Sequence, residues 1–372
     1  MTGGGDKPID LSIGDPGYEP PREAQAVAVQ AIARGLGGYA PMGGLRRLRA
    51  ALAEHLSERE GIPATPQQVV VSTGASLGIF ATMATVCRPG DTVLIPDPGF
   101  PLYRQAAMTL GLRVIGYPLG DPDSGHAPDW DVLSTLVPGA RLLIWNFPAN
   151  PLGVIAEPGW IDRLGSLMRS SPELYVISDE VYRDLCLDGQ HVSPAVHTPE
   201  LADRIITAFS FSKSYGMAAW RVGYLHATAN LAERIAQAHW RATMSTPTMA
   251  QLGALACLRV SGDYLDARRT FLRDNRDLTL ARLRGCGLPC AEPPAGFFTW
   301  IDTTPTGLDG TTFVQHCAKQ TGVLLSPGAD FGASGTKRVR LNFAVSTDRL
   351  VTALDRMKGW IETTDLVTGG AA

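Results

Sequence analysis

The sequence predicts an α/β protein in which a large domain, built on a seven-stranded and mostly parallel sheet, carries a smaller α+β domain. Three observations predict it. Over residues 69–227, short β-rich runs alternate with helical patterns, the mark of strands joined by crossover helices. From residue 230 the pattern changes to three consecutive helices, followed by two alternating runs suited to antiparallel strands. The chain has 372 residues, enough for two domains and a large core.

Taken in order, the strands of the large sheet are expected at 69–72, 92–96, 114–117, 142–145, 175–178, 205–209 and 222–225. Residues 77–86, 102–110 and 160–168 have helical spacing between them. Helices follow at 230–241, 247–260 and 263–283, the last long enough to link two domains. Beyond it, antiparallel strands are expected at 297–301 and 339–344, with helices at 311–321 and 348–362. Residues 26–275 are assigned to the large domain, and 1–25 with 276–372 to the small one. The glycine-rich ends read as frayed.

A formal net charge of -3 leaves no electrostatic footprint for nucleic acid or an anionic membrane. Small acidic metabolites therefore have to be held by local charges. The six cysteines are scattered without a Cys-x-x-Cys pair, so they read as reduced thiols, and no metal site is expected. No run of eighteen apolar residues suggests a membrane span, and Met1 to Lys7 lacks the apolar stretch of a secretory signal. These features predict a cytoplasmic protein.

Candidate chemistry gathers where expected strands end, the edge at which α/β sheets bind ligands. The apolar run ending at Phe209 delivers Ser210-Phe211-Ser212-Lys213, and Trp220-Arg221-Val222-Gly223-Tyr224 follows after a short loop. Most lysines are solvated surface charges. An amine desolvated beside another cation has a depressed pKa, as a lysine forming a Schiff base with a phosphate-bearing aldehyde requires. Thr73-Gly74-Ala75-Ser76 ends a strand and opens a helix, where free NH groups and the Ser76 hydroxyl suit a phosphate, although Thr73 or Ser76 could simply cap. Arg221 and Ser210 would complete that cup.

Asp179, at the end of a buried strand, wants a cationic partner, and a protonated pyridine nitrogen is one. Tyr182 and Asn150 could hydrogen-bond the phenolic oxygen of the same ring, and Phe100 offers it a flat face. Their ordinary alternatives are a capping Asp, a turn Asn before proline and a core aromatic. Near the carboxyl end, Arg338 and Arg340 share one face of an alternating strand, and either could clamp a carboxylate; periodicity does not choose between them.

Together these residues resemble the class I/II aminotransferases, fold-type I enzymes dependent on pyridoxal 5'-phosphate, over residues 14–362. Ser210-x-x-Lys213 with Arg221 is the most specific element, with Asp179-x-x-Tyr182 and Asn150-Pro151-x-Gly153 beside it. The resemblance implies that Lys213 holds the cofactor as an internal aldimine and shuttles the substrate proton. It implies that Asp179 pairs with the ring nitrogen, Tyr182 and Asn150 with the ring oxygen, and that Phe100 stacks on the ring. Gly74, Ala75, Ser76, Ser210 and Arg221 would bind the phosphate, and Tyr39 would reach the phosphate of a neighbouring subunit in a homodimer. Gly14 and Asn150 would line the substrate pocket, and Arg340 would bind the α-carboxylate. The Gly14 loop lies early in the chain, so the amino-terminal helix that often precedes it is largely missing. Leu152 stands where threonine is usual, and Phe100 where tyrosine or tryptophan is.

The expected reaction is transfer of an amino group between an amino acid and a 2-oxo acid. A lyase or cyclase similar to aminocyclopropanecarboxylate synthase would use the same cofactor cage for elimination or carbon-carbon bond formation. A non-catalytic sensor fused to a DNA-binding module is disfavoured, because no basic helix-turn-helix extension is present.

Overall fold

The computed structural model describes residues 7–120, 125–364 and 366, so most of the two glycine-rich ends read as frayed lies outside the described residues. The chain opens with strand β1 (Ile9–Asp10) and helices α1 (Arg22–Ala33) and α2 (Arg46–Arg59). The alternating body then runs β2 (Val69–Ser72), α3 (Gly74–Val86), β3 (Thr92–Asp97), α4 (Pro101–Thr109) and β4 (Arg113–Pro118). It continues through α5 (Trp130–Leu136), β5 (Leu142–Asn146), α6 (Pro158–Ser170), β6 (Tyr175–Asp179) and α7 (Pro194–His197). Next come β7 (Ile205–Ser210), α8 (Phe211–Ser214) and β8 (Gly223–His226). Helices α9 (Ala229–Thr243), α10 (Thr248–Cys257) and α11 (Gly262–Gly285) follow in succession. The last part holds β9 (Phe298–Asp302), α12 (Gly310–Thr321), β10 (Val323–Leu324), β11 (Ser326–Pro327), β12 (Arg338–Asn342) and α13 (Thr347–Thr363).

All seven expected strands of the large sheet are present, in the order β2-β8-β7-β6-β5-β3-β4. Only β8 runs against its neighbours. The reason is local: residues 211–222 between β7 and β8 hold only the four-residue α8 and a single turn at Ala218–Trp220, no helix long enough to run back along the sheet to the start of a parallel strand. The chain therefore stays at the same edge, and Ser210 at the end of β7 is registered against Gly223 at the start of β8. That reversal brings the 210–213 and 221–223 segments to one edge. Ser72, at the end of β2, is registered against Gly223 as well.

Helices α1, α2 and α5, the four-residue helices α7 and α8, and the two-residue strands β1, β10 and β11 lie outside the expected elements. In α2 the signal is legible: Leu48, Leu52 and Leu56 recur every four residues and all are buried. In α1 it is not, because Val29 and Ile32 are exposed and blur the apolar stripe. The smaller sheet joins β11, β12 and β9 antiparallel, and β1 pairs in parallel with β10.

Two apolar clusters lie on opposite faces of the large sheet. One holds Val71, Leu94, Leu143, Trp145 and Phe209, and the other Val70, Ile95, Ile144, Ile177 and Leu225. A third is centred on Phe297, Ile301, Phe313, Leu341 and Leu354. Helix α11 passes from one core to another: Tyr264 and Leu265 pack on the first cluster, Leu272 and Leu283 within the third. Its apolar face changes allegiance along its length.

Candidate active site

Every parallel strand of a doubly wound sheet points its carboxyl end to one edge, and the loops there surround a cavity of about 200 Å³. Gly14, Ala75, Ser76, Phe100, Asn150, Asp179, Tyr182, Ser210, Lys213, Arg221 and Arg340 all line it. Gly74 adjoins, and Tyr39 stands apart: it is 78 % exposed on the surface and lines none of this cavity.

Lys213 sits in α8, directly after β7. Its Nζ donates to the carbonyl oxygen of Gly14. Burial is the main reason its pKa is pushed down to about 8; the Arg340 and Arg221 cations lower it further, while Asp15 and Asp179 oppose them. Such an amine is partly neutral near physiological pH. The hydroxyl of Tyr18 donates to the Lys213 carbonyl, fixing the backbone beneath it.

Asp179 ends β6 and is almost fully buried. Its Oδ2 accepts a 2.6 Å hydrogen bond from the Tyr103 hydroxyl, and its Oδ1 a 3.3 Å bond from the Val181 amide. Desolvation lifts its pKa to about 6, against the lowering effect of both hydrogen bonds and despite Lys213. Neighbouring Asn146, at the end of β5, donates to the Asp179 carbonyl (3.1 Å) and accepts from the Asn150 amide (3.0 Å). Asn150 is therefore tied to the end of β5, in the turn that precedes Pro151.

The start of α3 has no side-chain cap at Thr73. Instead the Thr73 amide donates to His239 Nε2 (3.0 Å) and its hydroxyl meets that of Thr246 at 3.2 Å. The simple capping alternative for Thr73 thus fails, and the first turn of α3 faces the cavity with Ala75 and Ser76. Arg221 has a left-handed backbone with φ of 55°, a costly conformation for a residue with a Cβ. It brings the guanidinium so close to Gly74 that a Cβ there would lie 2.5 Å from Nη2. Gly223 is equally confined, since its Cβ would meet the Ala75 amide nitrogen at 2.8 Å. Ser210 caps α8 by accepting from the Ser212 amide at 3.1 Å. An anion here would meet a guanidinium, hydroxyls and helix-end amides within one concave surface.

Arg340 reaches the opposite wall from the middle of β12. Its guanidinium lies 4.0 Å from the Phe298 ring centre and 4.7 Å from that of Phe331. Nη1 donates to Asn150 Oδ1 (3.0 Å) and Nη2 to the Ser12 carbonyl (2.5 Å). Burial pushes its pKa down to about 10. Arg338, two residues earlier on the same face, pairs with Asp302 and does not line the cavity. The ambiguity left by alternation is resolved by position along the strand.

Tyr182 is buried, with its ring edge-on to Phe297 (5.5 Å) and Phe298 (6.0 Å). Three contributors went unrecognised in the sequence: Tyr103, Asn146 and the Ser12 carbonyl. Tyr103 stands three residues after Phe100, in the first turn of α4. For Ser12 no sequence signal exists, because its contribution is a backbone atom.

Comparison with known proteins bears on the whole chain. Residues 6–357 match the family described as aminotransferase class I and II. An arginine–pyruvate transaminase of Pseudomonas aeruginosa is 31% identical over 95% of this chain and 90% of its own. An aspartate/prephenate aminotransferase of Thermus thermophilus is 30% identical over 94% of this chain and 89% of its own. The crystal structure of an aromatic aminotransferase from Pyrococcus horikoshii superposes with a TM-score of 0.91 at 29% identity, covering 97% of both chains.

Proposed function

Because the chain belongs to the class I and II aminotransferases, and is a pyridoxal-phosphate-dependent transferase of fold type I, we propose that Lys213 runs its amino transfer. Transamination is supported over elimination or cyclisation by the activities of these relatives. The observation that carries the site reading is the placing of one desolvated lysine between a buried carboxylate and two arginines around a single cavity.

The residues present fit pyridoxal phosphate. Arg221, Ser210, Ser76 and the Ala75 amide offer donors for a phosphate; the missing Cβ of Gly74 lets the Arg221 guanidinium approach, and that of Gly223 lets β8 lie close to the start of α3. Asp179 offers a buried carboxylate for the ring nitrogen, Phe100 an aromatic face, and Asn150 and Tyr182 polar groups for the ring oxygen. When bound, the cofactor supplies the conjugated system that takes up the electron pair left at the substrate α-carbon. Asp179, as an anion, would pair with the ring nitrogen and favour its protonated form. Arg340 binds the α-carboxylate as a fork already oriented by Asn150 and Ser12, and Gly14 borders the substrate. With the carboxylate fixed at one end, the bond to the α-hydrogen is turned toward Lys213. The Lys213 amine accepts that proton at Nζ and later returns it.

Among the described lining residues the cations are Lys213, Arg221 and Arg340, and each has a role above. None of these described lining cations remains for a second carboxylate, which favours a monocarboxylic over a dicarboxylic amino acid as substrate. Residues 26–275 are read as the cofactor-binding body, and 1–25 with 276–372 as the smaller domain; the separate apolar cores support that division. The exposed Tyr39 supports a homodimer in which it serves the neighbouring site. Among the described residues no helix is long and apolar enough to cross a membrane. The six free cysteines support a reducing, cytoplasmic setting.

The test is a half-reaction. Holoenzyme mixed with a panel of amino acids and no oxo acid should convert stoichiometrically to the pyridoxamine form, followed by absorbance. Catalytic turnover with the aldehyde form retained would overturn transamination.

A further inference from the structure

We propose that the chain carries a second binding site, for a flat apolar monocarboxylate, in the cleft where Arg338 and Trp300 of the small sheet face the loops of the large one. Its existence does not depend on the roles given above to Lys213 and Arg340.

The cleft encloses about 440 Å³, against about 200 Å³ for the catalytic cavity, and falls within the size range of small-molecule sites. Pro98, Leu119 and Leu152 line it from loops that follow β3, β4 and β5, and Trp300, Asp302 and Arg338 from β9 and β12. Register sets Arg340 opposite Trp300 and Arg338 opposite Asp302, so all four side chains leave one face of the small sheet. That face presents two arginines, 340 to the catalytic cavity and 338 to the cleft. A partition stands between them: the Trp300 ring meets Phe331 edge-on at 5.6 Å, and Phe331 packs on the Arg340 guanidinium at 4.7 Å. Among the described residues, none lines both cavities.

The polar groups of the cleft select the charge of its occupant. Arg338 meets Asp302 Oδ2 through Nη1, and Asp302 Oδ1 accepts from the Thr304 amide at 2.8 Å. Asp302 thus anchors the guanidinium at one nitrogen. Among the described residues no hydrogen bond takes Nη2 or Nε, which leaves that side of the fork to an acceptor; two parallel bonds to a carboxylate match it. The Arg338 side chain is only 30% exposed, so the pair would be partly shielded from water. Arg338 is the one lysine or arginine among the described lining residues, and Asp302 beside it repels a second carboxylate. The ligand therefore carries a single acid group. Its body meets the Trp300 indole and the aliphatic surfaces of Pro98, Leu119 and Leu152, which suit a flat apolar group. Leu152 matters here, since the threonine usual at its position would place a hydroxyl in that wall.

The probe is 2-naphthoate, which has no amino or oxo group to react, titrated calorimetrically into holoenzyme. Arg340→Met holoenzyme, which lacks the carboxylate anchor of the catalytic cavity, should still bind one naphthoate per chain, with affinity for the cleft changed less than about 2-fold. Arg338→Met should weaken that binding roughly 10-fold or more, the worth of a charge-assisted hydrogen bond. Arg338→Lys, which keeps the charge beside Asp302 but not the fork, should weaken it as well and serves if Arg338→Met does not fold. The uncharged 2-naphthamide should bind roughly 10-fold more weakly than naphthoate. Binding lost in Arg340→Met and untouched in Arg338→Met would put naphthoate in the catalytic cavity, overturning this site while the reading of Arg340 stands. Equal affinity for naphthamide would show an adventitious apolar contact only, and absence of binding at millimolar naphthoate would overturn the proposal outright.

Discussion

At pH 7 Asp179 and Lys213 are both charged inside the protein, and each charge lowers the stability of the apoprotein. For Asp179 the folded pKa is raised, from 3.8 to about 6. Between those values the folded protein holds a proton that the unfolded chain has released, so this group's contribution falls as pH rises. Asp179→Asn should therefore raise the apoprotein's melting temperature at pH 7, with the gain disappearing below about pH 4. For Lys213 the folded pKa is lowered, from 10.5 to about 8. There the unfolded chain retains the proton that the folded protein has lost, so the penalty is complete below about 8 and fades as pH rises to 10.5. Lys213→Met should stabilise the apoprotein at pH 7 and lose that advantage at high pH, as calorimetry across the range would register. The same variant should abolish borohydride trapping of the cofactor; a trapped adduct on another lysine would refute the assignment. A site that raises stability when its charges are removed is one kept for chemistry.

Among the elements, the turn from β2 into α3 is the most constrained. Gly74 has φ of +71°, and its missing Cβ leaves room for the Arg221 guanidinium. Gly74→Ala combines a left-handed alanine with a steric clash. It should cost about 1–3 kcal/mol in denaturant unfolding and weaken cofactor retention on dialysis more than Ser76→Ala does. The glycine was visible in the Thr73 to Ser76 motif, but the reason for it was not, since Arg221 is distant in sequence. Strand β8 gives the same lesson. Its apolar run reads like the parallel strands before it, and only the lack of a long helix between β7 and β8 dictates its reversal. By contrast α2 is legible from a local pattern, since Leu48, Leu52 and Leu56 repeat every four residues and need no distant partner to mark a buried face.

Over the whole molecule, the site spans parts of the chain that pack around separate apolar cores. Asp97, at the end of β3, accepts from the Ser334 hydroxyl at 2.6 Å, and the Phe331 carbonyl accepts from the Gly99 amide at 2.7 Å. These bonds tie the loop before α4 to the segment that stacks on Arg340. Tyr39 tests the next level of assembly. In a mixed dimer of Tyr39→Ala and Lys213→Ala protomers, one site regains both residues if Tyr39 serves its neighbour. Co-refolding equal amounts of the two impaired variants makes about half of the dimers mixed, each with one complete site, and should then restore roughly a quarter of the activity of an equal amount of parent dimer. If Tyr39 acted within its own chain, the mixture would be no more active than its components.

By itself the sequence determined the large sheet's strands, the placing of Lys213, Asp179 and Asn150 after strand ends, and the family. These follow from short-range patterns: apolar periodicity, and polar residues where a buried run stops. Periodicity left Arg338 and Arg340 equivalent, the resemblance named Arg340, and the fold sets Arg340 at the cavity; tertiary structure alone decided that Tyr103 holds Asp179 and that Gly14 receives the Lys213 amine across a separation of 199 residues. Those pairings depend on register, helix direction and backbone carbonyls. The first two are set by global packing, and the third is common to every residue, so no local pattern of side chains encodes them.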